Sequence, residues 1–246
     1  MVRRKMTRDF KIFGVFMMGC GVAYLYLKSR NETMSTRTKA LLESAREKKE
    51  RRQTRDSIAL YEQALSLMEE ENAHLAQAKV YSEIAHVHRD NGDTKKSEIA
   101  YKEALDHLDE VDHWKSAHIE GTLSLDAGAV WNELASIAKS SEEIESRYLR
   151  ALSLTLTKSQ MNSVNAHINK SDSSSQDFPS RENAIQAAGI LYNLGCYYAE
   201  TGQLRSAESV LLRSQALIEI SGEYRDGRTE EISTLLSEVR EALAGS

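Results

Sequence analysis

The chain predicts an all-α fold: a solenoid of stacked helical hairpins behind an N-terminal single-pass transmembrane helix. Three observations carry that prediction. The composition suits helices, with one proline, 7% aromatic and 28% charged residues among 246. Small and bulky residues recur at a helical period in two distant segments, around Tyr81-Ile84-Ala85 and around Leu191-Leu194-Gly195. An uncharged run, Ile12 to Leu27, lies between Lys11 and Lys28 near the N-terminus.

The N-terminal run comes first in the chain. Its sixteen residues would span about 24 Å as a helix, a little under the ~30 Å hydrocarbon core. Lys11, Lys28 and Arg30 can snorkel at its ends, and Tyr24 and Tyr26 sit where amphipathic rings favour the interface. A cleaved secretory signal wants small residues after the apolar stretch, but Leu25-Tyr26-Leu27-Lys28 follows. A matrix presequence should be amphipathic, and only residues 2–11 fit that. Residues 12–27 are therefore expected to be an uncleaved anchor, with 1–11 a basic segment and 28–37 a linker. The run is short, with basic flanks, and resembles the signal-anchors of mitochondrial membrane proteins. That resemblance implies a mitochondrial membrane, inner or outer, with the endoplasmic reticulum as the alternative.

The remainder divides into hairpins. In the segment after the linker, Leu41, Leu42 and Ala45 give a thin apolar face. Ser57, Tyr61, Ala64 and Leu65 then form one stripe at i, i+4, i+7 and i+8, the helical period. In the next unit Tyr81, Ile84, Ala85 and His88 fill a first helix. Gly92-Asp93 makes a turn in which glycine accepts positive φ, and Ser97, Tyr101, Ala104 and Leu105 fill a second helix. A third unit has Trp131, Leu134, Ala135 and Ala138, then Ile144, Tyr148, Ala151 and Leu152. Its turn is about one helical turn short of the pattern, and residues 113–124 before it add length. The last unit has Leu191, Leu194, Gly195, Tyr198, Gly202, Leu204, Ala207 and Leu211.

The second and fourth units resemble the tetratricopeptide repeat, two antiparallel helices over roughly 34 residues with small and bulky residues at fixed places. The resemblance covers about residues 38–243 and is loose in the first and third units. It implies a solenoid whose units share one core because none can bury its apolar face alone. Repeats one to three occupy 38–157 and repeat four 184–221. Between them, 158–183 contains Ser173-Ser174-Ser175, the single Pro179 and no apolar period. It is expected to be a flexible Ser-rich insertion. Residues 228–243, with Ile232, Leu235, Leu236, Val239 and Leu243 on one face, should close the open end as a capping helix.

Charge and motif exclude several function classes. The net charge is −5, with residues 1–30 carrying +6 and residues 31–246 carrying −11. An acidic domain argues against nucleic acid as partner and suits a basic protein or peptide. The seven histidines lack metal-ligand spacing, and no glycine-rich phosphate loop or nucleophile elbow occurs. Two cysteines, Cys20 and Cys196, imply no disulfide framework. No catalysis, cofactor or metal is expected.

The resemblance implies a binding groove lined by the first helix of each repeat. Its groove places fall on Lys79, Ser82, Glu83 and His86 in the second repeat. They fall on Asn132, Glu133 and Ser136 in the third, and on Tyr192, Asn193 and Cys196 in the fourth. Glu83, Glu133, Tyr192 and Asn193 are expected to be exposed. Repeats that bind chaperone tails clamp a carboxylate with Lys, Asn and Arg, and Glu83, His86 and Glu133 depart from that pattern. The expected role is a membrane-anchored adaptor, receptor or assembly factor. The alternatives are a permanent subunit of a larger membrane complex and an endoplasmic-reticulum-anchored co-factor.

Overall fold

The computed structural model describes residues 34–70, 73–110, 122–170, 177–222 and 227–245. The predicted anchor, 12–27, lies outside the described residues. Among those described, no helix is long and apolar enough to cross a membrane. The described chain is all-helical. Its elements are α1 (Thr36–Glu50), α2 (Thr54–Glu70), α3 (His74–Asp90), α4 (Thr94–Glu110), α5 (Thr122–Ser136), α6 (Ser141–Thr155), α7 (Lys158–Ile168), α8 (Arg181–Glu200), α9 (Leu204–Ser221) and α10 (Arg228–Ala244). The hairpins are α1–α2, α3–α4, α5–α6 and α8–α9.

Three hairpins turn by the same device. The N–H of Gln53, Asp93 and Gln203 donates to the carbonyl five residues back, on Lys48, His88 and Tyr198, at 2.9, 2.9 and 2.8 Å. Such a 6→1 closure needs a left-handed residue one place earlier. Gly92 (φ 81°) and Gly202 (φ 78°) supply it without strain, whereas the first hairpin uses Arg52 at φ 58°. The third hairpin lacks the device. Its α5 stops at Ser136, Ser140 caps α6 by accepting the Glu143 N–H at 3.2 Å, and Arg147 donates to the Leu134 carbonyl at 2.9 Å. The guanidinium thus satisfies one of the carbonyls that the shortened α5 leaves open.

Close packing within each hairpin follows the small residues. Ala45, Ala64, Ala85, Ala104 and Ala151 are fully buried. The Ser57 hydroxyl donates to the Ala45 carbonyl at 2.8 Å, and Ser214 to that of Ala188 at 2.7 Å, so neither buried hydroxyl goes unsatisfied. At Gly195 a Cβ would lie 2.8 Å from Leu211 Cγ. At Gly128 it would meet Thr155 on α6 and Gln186 on α8, so this glycine lets three helices meet.

Two apolar clusters meet at α5. One is built from α1 to α5 around Tyr61, Met68 and Tyr101. The other runs from α5 to α10 around Leu191, Leu194, Leu211 and Leu217. Trp131 packs against both. Helix α10 seats Ile232, Leu236 and Val239 and ties Arg240 to Glu208 on α9 at 2.8 Å.

One expectation is corrected here. Residues 158–168 of the predicted flexible insertion form α7, which packs against α9. Its apolar stripe is thin, but Thr157 and Gln160 form a reciprocal capping box, which nucleates a short helix. Val164 is fully buried, and Arg213 on α9 donates to Asn165 at 2.8 Å. Residues 171–176 lie outside the described residues.

Candidate functional site

Side-chain contacts run from each first helix to the next. Lys49 at the end of α1 reaches Glu83 on α3 at 2.7 Å. Arg89 at the end of α3 is hydrogen-bonded to Glu133 on α5. Asn193 on α8 donates its amide to Asn132 on α5 at 3.1 Å. Helices α1, α3, α5 and α8 are thus joined by two ion pairs and one amide pair. On the second helices, Arg147 of α6 bridges to Glu98 of α4 at 3.0 Å, and from the first helix α8 the Tyr198 hydroxyl donates to Glu145 of α6 at 2.7 Å.

These contacts correct the expected exposure of the acidic groove residues. The Glu133 side chain is 8% exposed and that of Glu83 is 12% exposed. Burial raises the Glu133 carboxyl above its usual range, opposed by the charge and hydrogen bond of Arg89. Burial works against the Arg89 charge too, but Glu133, Tyr101 and Asp90 together outweigh it and raise the guanidinium's proton affinity. Both acids sit in a low-dielectric seam against a cation that the neighbouring repeat supplies. Ser82, His86 and Asn132 are also buried. The Ser82 hydroxyl donates to its own helix at Ala78 (3.0 Å) and that of Ser136 to Glu133 (2.7 Å).

His86, on α3 with Glu83 and Arg89, is edge-on to Tyr101 with ring centroids 5.7 Å apart. Burial, then Arg89 and Lys49, lower its proton affinity well below the usual histidine value. Lys79, Ser136, Tyr192, Asn193 and Cys196 are half-buried. Tyr192 hydrogen-bonds Cys196, and its ionisation is pushed up by burial, then by Cys196, Glu231 and Glu238. Burial pushes the Cys196 thiol up to about 11, which leaves it a poor nucleophile. Among the described residues, no three His, Cys, Asp or Glu side chains converge as metal ligands.

The predicted groove residues therefore separate into two sets. Glu83, His86, Asn132 and Glu133 are joints between repeats. Tyr192, Asn193 and Cys196, with Ser136 and Trp131 beside them on the first helices, form the more accessible part. The residues that the sequence reading missed are Lys49 and Arg89. The signal for them is opposite charge about one repeat apart on first helices: Lys49 and Glu83 are 34 residues apart.

Comparisons with known proteins agree with this architecture. Residues 78–106 and 188–219 match the family model described as tetratricopeptide repeat. They fall on α3–α4 and α8–α9, the two hairpins with glycine turns. The crystal structure of BtubC (BKLC) from P. vanneervenii aligns with a TM-score of 0.52 at 18% identity, over 77% of this chain and 66% of that one. The apo form of RapI aligns with a TM-score of 0.58 at 17% identity, over 92% of this chain and 54% of that one. The chain thus spans about two thirds and about half of the length of these structures, and at such identities the likeness shows the fold alone. No curated protein matches the sequence. The class defined by fold and matches is a tetratricopeptide-like helical solenoid.

Proposed function

We propose that the protein is an adaptor, receptor or assembly factor, held at a mitochondrial membrane by residues 12–27, that binds a protein partner through its first-helix face without catalysis. The observation that carries this reading is the continuity of that face. Four first helices are joined edge to edge by Lys49–Glu83, Arg89–Glu133 and Asn132–Asn193, and solenoids of this kind bind along such a surface. The contact residues are Tyr192, Asn193, Cys196 and Ser136, because they keep accessible surface after the joints are made. Tyr192 is the anchor, since a half-buried aromatic adds contact area at little entropic cost. The partner segment is basic. With Glu83 and Glu133 already paired, the acids available to it are the exposed Glu231 and Glu238, both of which act on Tyr192. An anchor confines protein and partner to one layer and raises their effective concentration.

Two experiments test the two halves of the reading. Carbonate extraction of isolated mitochondria should leave the full chain in the pellet, and deletion of residues 1–30 should release it. A photo-crosslinking residue at Tyr192 should yield partner adducts in solubilised membranes. The same residue at Ile99, 60% exposed on α4, should not. Adducts at Ile99 alone would move the binding face to the second helices.

A further inference from the structure

Charge is sorted along the chain. Residues 1–55 hold 15 cations against five acids, a net +10, and residues 56–246 carry −15. The positive surplus continues into the fold through the first hairpin. Exposed Arg37 and Lys39 lie in the first turn of α1, and six more cations follow between Arg46 and Arg55. Three of those six are engaged within the protein: Lys49 with Glu83 at 2.7 Å, Arg51 with Glu47 at 2.5 Å and Lys48 with Asp56 at 4.0 Å. Arg46, Arg52 and Arg55 are exposed and form no ion pair among the described residues. Of the two acids in that stretch, Glu47 is taken and Glu50 is left. The three remaining cations are all arginines, whose planar forks match phosphate oxygens.

Arg52 adds a conformational sign. It holds the left-handed backbone position, at φ 58°, that Gly92 and Gly202 hold in the two matching turns. A residue with a Cβ is disfavoured there. The Arg52 side chain makes no ion pair among the described residues to offset that cost. Strain kept at a side chain that serves nothing inside the fold points to a use outside it.

We propose that the first hairpin docks on anionic phospholipid headgroups, with α1 along the bilayer and Arg46, Arg52 and Arg55 on the phosphates. Charge complementarity carries the assignment. A negatively charged surface attracts residues 28–55, at +6, and repels the −15 that follows. The same field that seats α1 therefore turns the rest of the solenoid away from the membrane. Reach agrees with this. Helix α1 has 15 residues and is about 22 Å long. The six residues between Leu27 and Met34 span up to about 25 Å when extended. Both ends of α1 thus come within reach of a surface that holds residues 12–27. The orientation of the solenoid rests on the anchor of the preceding subsection, whereas the lipid contact rests on the arginines.

The test uses the full chain with phosphatidylcholine vesicles and with mixed phosphatidylcholine–phosphatidylglycerol vesicles. A fluorescent amino acid replaces Gln53, exposed in the turn beside Arg52, and the lipids carry a headgroup quencher. Anionic vesicles should quench the label about threefold more than zwitterionic ones at about 0.1 M salt. The difference should vanish near 1 M, where the screening length shrinks from about 10 Å to about 3 Å. The triple variant Arg46→Gln, Arg52→Gln, Arg55→Gln should lose the difference. The triple variant Lys95→Gln, Lys139→Gln, Arg150→Gln, which removes the same charge from later exposed positions, should keep it. Equal quenching by both lipids, persistence in the arginine variant or loss in the control variant overturns the proposal. So does a label that responds to soluble polyglutamate and not to anionic vesicles, which would assign the face to an acidic protein. Flotation of the same samples separates the two readings. A failed anchor shows as no flotation with phosphatidylcholine alone, and a failed lipid contact as a label that anionic lipid does not quench.

Discussion

Hairpins α3–α4 and α8–α9 share a glycine turn and a small residue facing a bulky one, yet they meet their neighbours differently. The first adds Lys49–Glu83 and Arg89–Glu133 to its apolar cluster around Tyr61, Met68 and Tyr101. The second sits in a large apolar cluster with Leu191, Leu194, Leu211 and Leu217, and its amide pair to α5 is neutral. Similar repeats thus reach a similar stack by ionic and by apolar joints. An apolar joint responds to volume, whereas a buried ionic joint responds to the loss of either partner and to pH. The comparison predicts where each hairpin should break.

The largest effect should come from filling the apolar joint. Gly195→Leu must displace Leu211, which is fully buried, and should cost roughly 3 kcal/mol or more. Ala85→Leu in the ionic hairpin overpacks a fully buried site and should cost about 1–3 kcal/mol. Urea unfolding of the two variants checks the order, and an unchanged midpoint for Gly195→Leu would undo the assigned packing.

Removing one partner of the ionic joint should come next. Glu133→Ala leaves Arg89 only the long, exposed contact to Asp90 at 3.8 Å and should cost about 3 kcal/mol. Glu83→Ala should cost only about 1 kcal/mol, because the Lys49 side chain is 27% exposed and can turn to water. Thermal denaturation of both variants side by side tests this ranking. Equal midpoints would show that Glu133 is no more a joint than Glu83.

The smallest effect concerns the turns. Arg52 occupies the left-handed position that glycine fills in the other two matching turns. Arg52→Gly should therefore stabilise the first hairpin by about 0.5–1 kcal/mol, relief of backbone strain outweighing the added freedom of the unfolded chain. Gly92→Ala should destabilise by about 1 kcal/mol, although open space surrounds its Cβ position. Unfolding midpoints of the pair should move in opposite directions.

The fold was largely legible because its determinants are local. Small residues at Ala85 and Gly195, aromatic or aliphatic residues at Tyr101 and Leu211, and the turn glycines recur within one hairpin. The short third turn was legible from the close spacing of Ala135 and Ile144. Helix α7 was not, because Met161, Val164 and Ile168 make too thin a stripe. Only its capping box, Thr157 with Gln160, could have signalled it. The site was half legible. The groove places found residues that share the first-helix face. Their exposure could not be read from spacing within a helix, because Lys49 and Arg89 come from adjacent repeats. The same charges that suggested a basic client at Glu83 and Glu133 are neutralised inside the protein.

The most direct test of the central claim, that Glu133 joins repeats and does not receive a partner, is a double-mutant cycle on Arg89→Ala and Glu133→Ala by urea unfolding. A joint predicts a coupling of about 2 kcal/mol or more, with the double variant no worse than either single one. Additivity within about 0.5 kcal/mol would contradict it and return Glu133 to the set of residues free to bind a client.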